Sequence, residues 1–404
     1  MPLDGIRVLD MSTAQQGPVA AQYLGDMGAD VIKIEDPING DFSRGLARTF
    51  GISLELPGGR NVIFEAHNRN KRGIAVDLKM DQGKQIIHNI VQKSDIFLQN
   101  FRPGVAEKLS VDYSTLLKIN PMIIYGSANC YGEKGPDGSR SGNDLAAVAR
   151  SGLLPQTGEP DSPSIIIDTL GDRVGAILFA YGLVLALLAR ERLGIGQEVH
   201  SSLLGSLIHL QGFNLAPTLL TGKSLPNLGR AKAARPLYNI YKCKDARWIA
   251  ISHVREPEKY WPLFCRALNI SYIINDPRFD SQKTRDDNSE ELITILDKVF
   301  ATKTYDEWRE IFRRELGNFL FDKVQTVSEL ISDPQVIEND FIVDFKHPTL
   351  GTIKMEGMAV DLNKTPGSIR RPAPELGEHT EEVLLEFGYT WEDIIEFKDL
   401  QVIR

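Results

Sequence analysis

Leu3-Asp4-Gly5-Ile6-Arg7-Val8-Leu9-Asp10-Met11-Ser12-Thr13-Ala14-Gln15-Gln16-Gly17-Pro18-Val19 begins as a strand and ends by opening a helix. Ile6 to Leu9 is a short apolar run of the kind a sheet buries on both faces. A polar turn follows, and Pro18 suits a first helical turn, where its missing N–H costs nothing. The helix is expected over Val19–Met27, and Val31-Ile32-Lys33-Ile34 reads as the next strand. Strand, helix and strand this close together make a right-handed βαβ crossover, so the two strands are parallel.

Working outward, further strands are expected at Ile74–Leu78, Asp95–Leu98 and Met122–Tyr125. Ile86, Ile87, Ile90 and Val91 mark an amphipathic helix between the first two. From 143 to 220 the pattern is mostly helical, broken by strand-like Ser164–Ile167 and Val199–Leu203. Residues 221–235 form a polar linker. Leu237–Tyr241 and Trp248–Ile251 then flank Lys244-Asp245-Ala246-Arg247 as a hairpin, and helical patterns run on to about 315. The tail returns to short strands at Ile342–Phe345 and Thr352–Met355, a Pro-rich crossing from Pro366 to Pro374, and closing helices.

Composition removes several classes of function. The 46 Lys and Arg against 54 Asp and Glu give a net charge of −8 over 404 residues, which disfavours a protein that grips nucleic acid through its phosphates. Cys130, Cys243 and Cys265 lie far apart, so neither a disulfide framework nor structural zinc is expected. The N-terminal residues lack a basic leader and an apolar signal core. The apolar run Val174–Ala189, at 16 residues, is shorter than a membrane span. The expectation is a soluble, cytoplasmic protein without a membrane partner. No G-x-G-x-x-G follows a strand, and no P-loop, H-E-x-x-H or G-x-S-x-G is present, so no metal site is expected.

Chemistry concentrates in Leu170-Gly171-Asp172-Arg173-Val174-Gly175, just before the apolar run. The plain reading of Asp172 is a helix N-cap. The functional reading uses the same geometry: a carboxylate fixed and exposed at a helix start, with Gly171 and Gly175 letting a bulky ligand approach, can serve as a covalent nucleophile. Asp168 is the weaker competitor. Asn68 to Lys79 and Leu98 to Gly104 set cations beside strands, and strand ends of an open parallel sheet bind ligands.

Taken in order, these segments resemble the class III CoA-transferases, the formyl-CoA transferase and carnitine CoA-transferase group, over nearly the whole chain. The marks are Leu3 to Asp10, Gly17-Pro18, Gly28 to Glu35, Asn70-Lys71-Arg72, Asn100 to Gly104, Gly171-Asp172, Gly194 to Gln197 and Arg371 to Gly377. The resemblance implies an α/β chain with a doubly wound, Rossmann-like large domain formed by both chain ends and a smaller α+β domain. Residues 1–220 and 326–404 would build the large domain and 221–325 the small domain with its linker. It further implies a ring-like, interlocked homodimer, with a heteromer of related chains as the alternative assembly. Asp172 falls on the catalytic aspartate, and Gln15 and Gln16 on the loop lining the active site and pantetheine. Val76, Asp77, Leu78 and Lys79, Asn100, Phe101 and Arg102, and Lys108 and Arg140 fall on CoA-contacting positions. Acyl-CoA and a carboxylic acid are the implied substrates, with no tightly bound cofactor.

Two departures narrow this expectation. The region that carries a run of glycines in oxalate- and formate-handling members reads Ile251-Ser252-His253-Val254-Arg255-Glu256 here, and Asp36 replaces a cation that some members place near the adenine. The sister α-methylacyl-CoA racemases carry a catalytic histidine where Gly142-Asn143-Asp144 stands, and asparagine shuttles no proton at neutral pH. A racemase, with Asp172 as base and His253 or Glu256 as its acid partner, is therefore the alternative enzyme. A CoA-binding subunit of a hetero-oligomeric transferase is the alternative of another class.

Overall fold

The structure is a computed structural model that describes residues 1–252 and 257–404. The chain divides into two compact units, one of residues 1–153, 166–216 and 334–404, the other of residues 154–165 and 217–333.

The first unit is built on strands β1 (Arg7–Asp10), β2 (Asp30–Glu35), β3 (Lys71–Ala75), β4 (Ile96–Gln99), β5 (Ile124–Asn129) and β6 (Gln197–Ser202). They lie in the order β3-β2-β1-β4-β5-β6, and every neighbouring pair is parallel. The chain thus starts at the centre, winds out to β3, returns beside β1 as β4 and winds out the other way. Where the direction reverses, between β1 and β4, the connections diverge and leave a crevice at the carboxyl ends of the strands. Helices α1 (Gln16–Asp26), α2 (Asp81–Val91), α3 (Asp144–Arg150), α4 (Leu170–Leu193) and α5 (Leu203–Leu210) connect or cover these strands. The chain end returns as α6 (Thr380–Glu386), whose Glu382 and Glu386 bind the Arg72 guanidinium of β3 at 2.9 and 2.8 Å.

Three expectations need correction. β3 lies at Lys71–Ala75 rather than Ile74–Leu78, because its two cations are neutralised inside the fold: Lys71 by Asp10 at 2.7 Å and Arg72 by Asp30 at 2.6 Å. Val76 to Lys79 therefore turn over the carboxyl end of the sheet. Ser164–Ile167 forms no strand, since it is largely exposed and no strand among the described residues pairs with it. The apolar run belongs to a helix of 24 residues, long and apolar enough to cross a membrane, so the length argument fails. Packing gives the better account of its inner face. Ala176, Phe179, Ala180 and Leu183 share a core with Val8, Ile96 and Ile124 of the sheet, and Arg190 pairs with Asp95 at 2.8 Å.

The second unit holds an antiparallel sheet of β7 (Tyr238–Lys242), β8 (Trp248–Ser252) and β9 (Phe321–Lys323), with the expected hairpin joining the first two. Its core is aromatic, with Tyr241, Trp261, Phe264, Phe300, Trp308 and Phe312 buried together. In the first unit, β10 (Ile342–His347) and β11 (Gly351–Glu356) pair as a separate antiparallel hairpin.

Candidate active site

The turn between β1 and α1 is held by buried charge. Lys71 donates to Asp10, to the Pro18 carbonyl and to Asn68 at 2.7, 2.8 and 2.8 Å. Lys33 donates to the Ser12 carbonyl at 2.6 Å and pairs with Asp41 at 2.8 Å. Burial pushes the Lys71 ammonium down to about 8, still charged at neutral pH beside Asp10. Burial opposes ionisation of Asp41 as well, but the adjacent Lys33 wins and brings it down to about 2.

Ala14 sits in the left-handed region at φ 66°, a conformation that costs an alanine roughly 1 kcal/mol and persists only where neighbours enforce it. Asp41 accepts its N–H at 3.2 Å, and its carbonyl lies 3.3 Å from His67 Nδ1. Burial, then the Arg173 guanidinium, hold His67 down at about 4, so the ring is neutral and Nδ1–H donates. Asn100, at the end of β4, clamps Thr13 from both sides: its Oδ1 accepts the Thr13 N–H and its Nδ2 donates to the carbonyl, each at 2.8 Å. The turn thus spans the β1/β4 crevice.

The turn delivers Gln16 to α4. A Cβ on Gly175 would lie 2.7 Å from Gln16 Nε2, so the amide occupies the space that the missing side chain leaves. Gln15, the residue before α1, is half-buried. Gly171 is used in the same way, since a Cβ there would lie 2.8 Å from Asp144 Oδ1. These glycines admit the protein's own polar side chains, a use different from the ligand approach read from sequence.

Asp172 is not the N-cap of α4. Thr169 holds that position without a side-chain bond, and the free N–H groups of Gly171 and Asp172 are taken by Asp144, the latter at 2.9 Å. Among the described residues the Asp172 carboxylate makes no hydrogen bond, and it is half-buried rather than exposed. Burial first, and then the Asp144 charge, push its pKa up to about 7 against the pull of Arg173. A carboxylate in the first turn of a helix ordinarily gains from the helix dipole. Here desolvation and like charge outweigh it. Asn143 caps α3 by accepting the Ala146 N–H at 3.1 Å. His253 and Glu256 lie outside the described residues.

Val76, Asp77, Leu78, Lys79 and Phe101 converge on a cavity of about 160 Å³ at the carboxyl ends of the strands, where Met11 and Thr13 of the same turn also reach. Lys79 stands at its rim, largely exposed and 3.4 Å from Asp36. Asp77 accepts the Lys79 N–H at 2.8 Å. Arg102, Lys108 and Arg140 do not line this cavity; all three are exposed, and Arg140 lies over the Tyr131 ring at 5.4 Å. The reading from sequence passed over Asp144 except as part of a turn. Its signal was weak, because its partner lies 28 residues further on.

Comparison with known proteins agrees with this architecture. Residues 3–380 match the family described as CoA-transferase family III. The chain is 33% identical to (R)-2-hydroxy-4-methylpentanoate CoA-transferase of Clostridioides difficile over the full length of both proteins. It is 33% identical to succinyl-CoA:glutarate CoA-transferase of Mus musculus, covering 95% of this chain and 86% of that one. A CAIB/BAIF family protein from Brucella suis superposes with a TM-score of 0.84 at 26% identity, covering 96% of this chain and 99% of the other. A parallel sheet reversing at β1 and β4, matched over its length by transferases, leaves one assignment: the chain belongs to CoA-transferase family III and is an enzyme of that family.

Proposed function

We propose that the protein moves CoA from an acyl-CoA donor to a free carboxylate acceptor, with Asp172 as covalent nucleophile. The observation that carries this reading is a half-buried carboxylate in a fixed helical turn, with no hydrogen bond from the described residues to blunt its lone pairs. A carboxylate oxygen of Asp172 attacks the thioester carbonyl; the C–S bond breaks, and CoA leaves as thiolate, giving a mixed anhydride. The thiolate then attacks the Asp172 carbonyl carbon, releasing the donor acid and forming an aspartyl-CoA thioester. The acceptor carboxylate attacks that thioester to give a second anhydride, and thiolate attack on its acyl carbonyl yields the new acyl-CoA and restores Asp172. No proton is consumed overall. A more basic carboxylate is the stronger nucleophile once ionised.

In this reading CoA is substrate, not a resident cofactor. Its adenine end occupies the cavity of Val76 to Lys79 and Phe101, with Asn100 holding the adjoining turn. Lys79 meets the phosphates from the rim, Arg102, Lys108 and Arg140 meet them from outside the cavity, and Gln15 and Gln16 line the path of pantetheine to Asp172. Asn143, committed to capping α3, offers nothing to a proton-transfer racemase. The three free, buried cysteines suit a reducing cytoplasmic compartment.

A screen of purified protein against acyl-CoA donors and carboxylate acceptors, read as CoA esters by mass, tests the function. Short 2-hydroxy acids and dicarboxylates open the acceptor set, since the relatives above are named for such acids. Exchange of α-hydrogen for deuterium without any CoA transfer would favour the racemase instead. Because the Lys79 ammonium is mostly exposed, Lys79→Ala is expected to weaken CoA binding only about 2–5-fold, as exposed ionic contacts do. Calorimetry with CoA and dephospho-CoA checks this, and unchanged affinity for both would remove Lys79 from the phosphate site.

The assembly we propose is the interlocked homodimer. Its support is the outer face of α4, where Ile177, Tyr181, Val184, Leu185 and Leu188 form an exposed stripe at helical spacing. A helix apolar on both sides calls for cover on both sides. The dimer is expected to persist at nanomolar protein, because threaded chains part only on unfolding. Sedimentation that shows monomer accumulating on dilution would contradict the threading.

A further inference from the structure

We infer that Asp144 is a positioning residue for Asp172, pinning the first turn of α4 through its backbone and presenting a like charge beside the nucleophile. The inference rests on the reading of Asp172 as nucleophile and adds a second carboxylate to the machinery.

Adjacent residues cap two different helices: Asn143 caps its own, α3, and Asp144 reaches across to α4. The Asp144 carboxylate accepts from both Gly171 and Asp172, and Gly171 leaves no Cβ to displace it. The positive end of α4 is thereby spent on Asp144. Asp172, one residue further along, receives neither those N–H groups nor the charge stabilisation that they would bring. Without Asp144 the helix terminus would favour an ionised, hydrogen-bonded and less reactive Asp172.

Among the described residues, Asp144 is the principal charge acting on this carboxylate besides Arg173. Arg173, on the same helix, is shared with Glu356 of β11 at 3.3 Å. Cys130, at the end of β5, is buried and its thiol is pushed up, so it stays neutral. Across from α4, α5 presents Leu203 and Leu207, and α1 presents the Gln16 amide. Asp168 acts on Asp144 and raises it further.

The test is the pH profile of Asp144→Asn, in which asparagine keeps the cap and removes the charge. The acid limb of kcat/KM is expected to move down by about one pH unit, because a like charge no longer opposes ionisation of Asp172. The rate on the plateau is expected to fall several-fold as the nucleophile becomes less basic, with KM for acyl-CoA little changed. Asp144→Ser, also a capping residue, carries the same readout if the asparagine variant does not fold. A profile superimposing on that of the parent, with the Asp172–CoA adduct forming normally, would reduce Asp144 to a cap and overturn the inference alone. Absence of that adduct in the parent would instead remove the nucleophile, and this role with it.

Discussion

Asp172→Asn is expected to give a folded protein that binds acyl-CoA and transfers CoA at least about 10³-fold more slowly. Asparagine has the same shape but cannot form an anhydride or a thioester by carboxylate attack. Nor does the helix lose anything, because Asp144 does the capping. The substitution should in fact stabilise the fold at neutral pH. A carboxyl raised to about 7 in the folded chain from 3.8 binds its proton more tightly when folded, so it supports the fold below pH 3.8 and this support is lost as pH rises through 7. Removing that ionisable group is expected to add about 1–2 kcal/mol at pH 8, discounted for partial exposure. Activity of the parent runs the opposite way, falling about tenfold for each pH unit below 7 as Asp172 protonates. Incubation of the parent with acyl-CoA alone should leave CoA on a peptide containing Asp172, cleaved by hydroxylamine. Near-normal transfer by Asp172→Asn, with no adduct in the parent, would end the assignment.

Lys71→Met is expected to cost about 3–5 kcal/mol, the penalty for stranding a buried charge. The ammonium satisfies Asp10, the Pro18 carbonyl and Asn68 at once, and the thioether replaces none of those bonds. Asp10 would remain charged in the centre of the sheet with Ser12 and the more distant Lys33 for company. Because the turn at Ser12 to Gln16 rests on this cluster, transfer should fall as well. Hydrogen exchange across β1 and β3, followed in urea, measures the loss within the first unit. A Lys71→Met, Asp10→Leu pair should recover part of it, since removing both partners strands nothing. A single variant within about 1 kcal/mol of the parent would show that the buried ion pair contributes little.

The central βαβ unit was legible because its apolar runs are short, bounded and built from residues that face the core on both sides. β3 was misplaced because Lys71 and Arg72 look like surface residues, and the groups that neutralise them, Asp10, Asp30 and Glu386, are remote in sequence. Asp172 stood out through the glycines around it, yet its setting did not. The cap comes from another helix, and its burial depends on packing that no local pattern encodes. The convergence of Val76 to Lys79 with Phe101 follows from strand order, which periodicity does not fix. Ser164–Ile167 misled for the converse reason: three consecutive isoleucines suggest a strand, but a strand also needs a free edge to join.

The outward stripe on α4 bears on how the protein is made. Until a second chain arrives, a newly synthesised subunit displays Ile177, Tyr181, Val184, Leu185 and Leu188 to water, a surface that chaperones bind and that other nascent chains can stick to. Refolding yield should therefore peak at intermediate protein concentration, limited by encounter at the dilute end and by aggregation at the other.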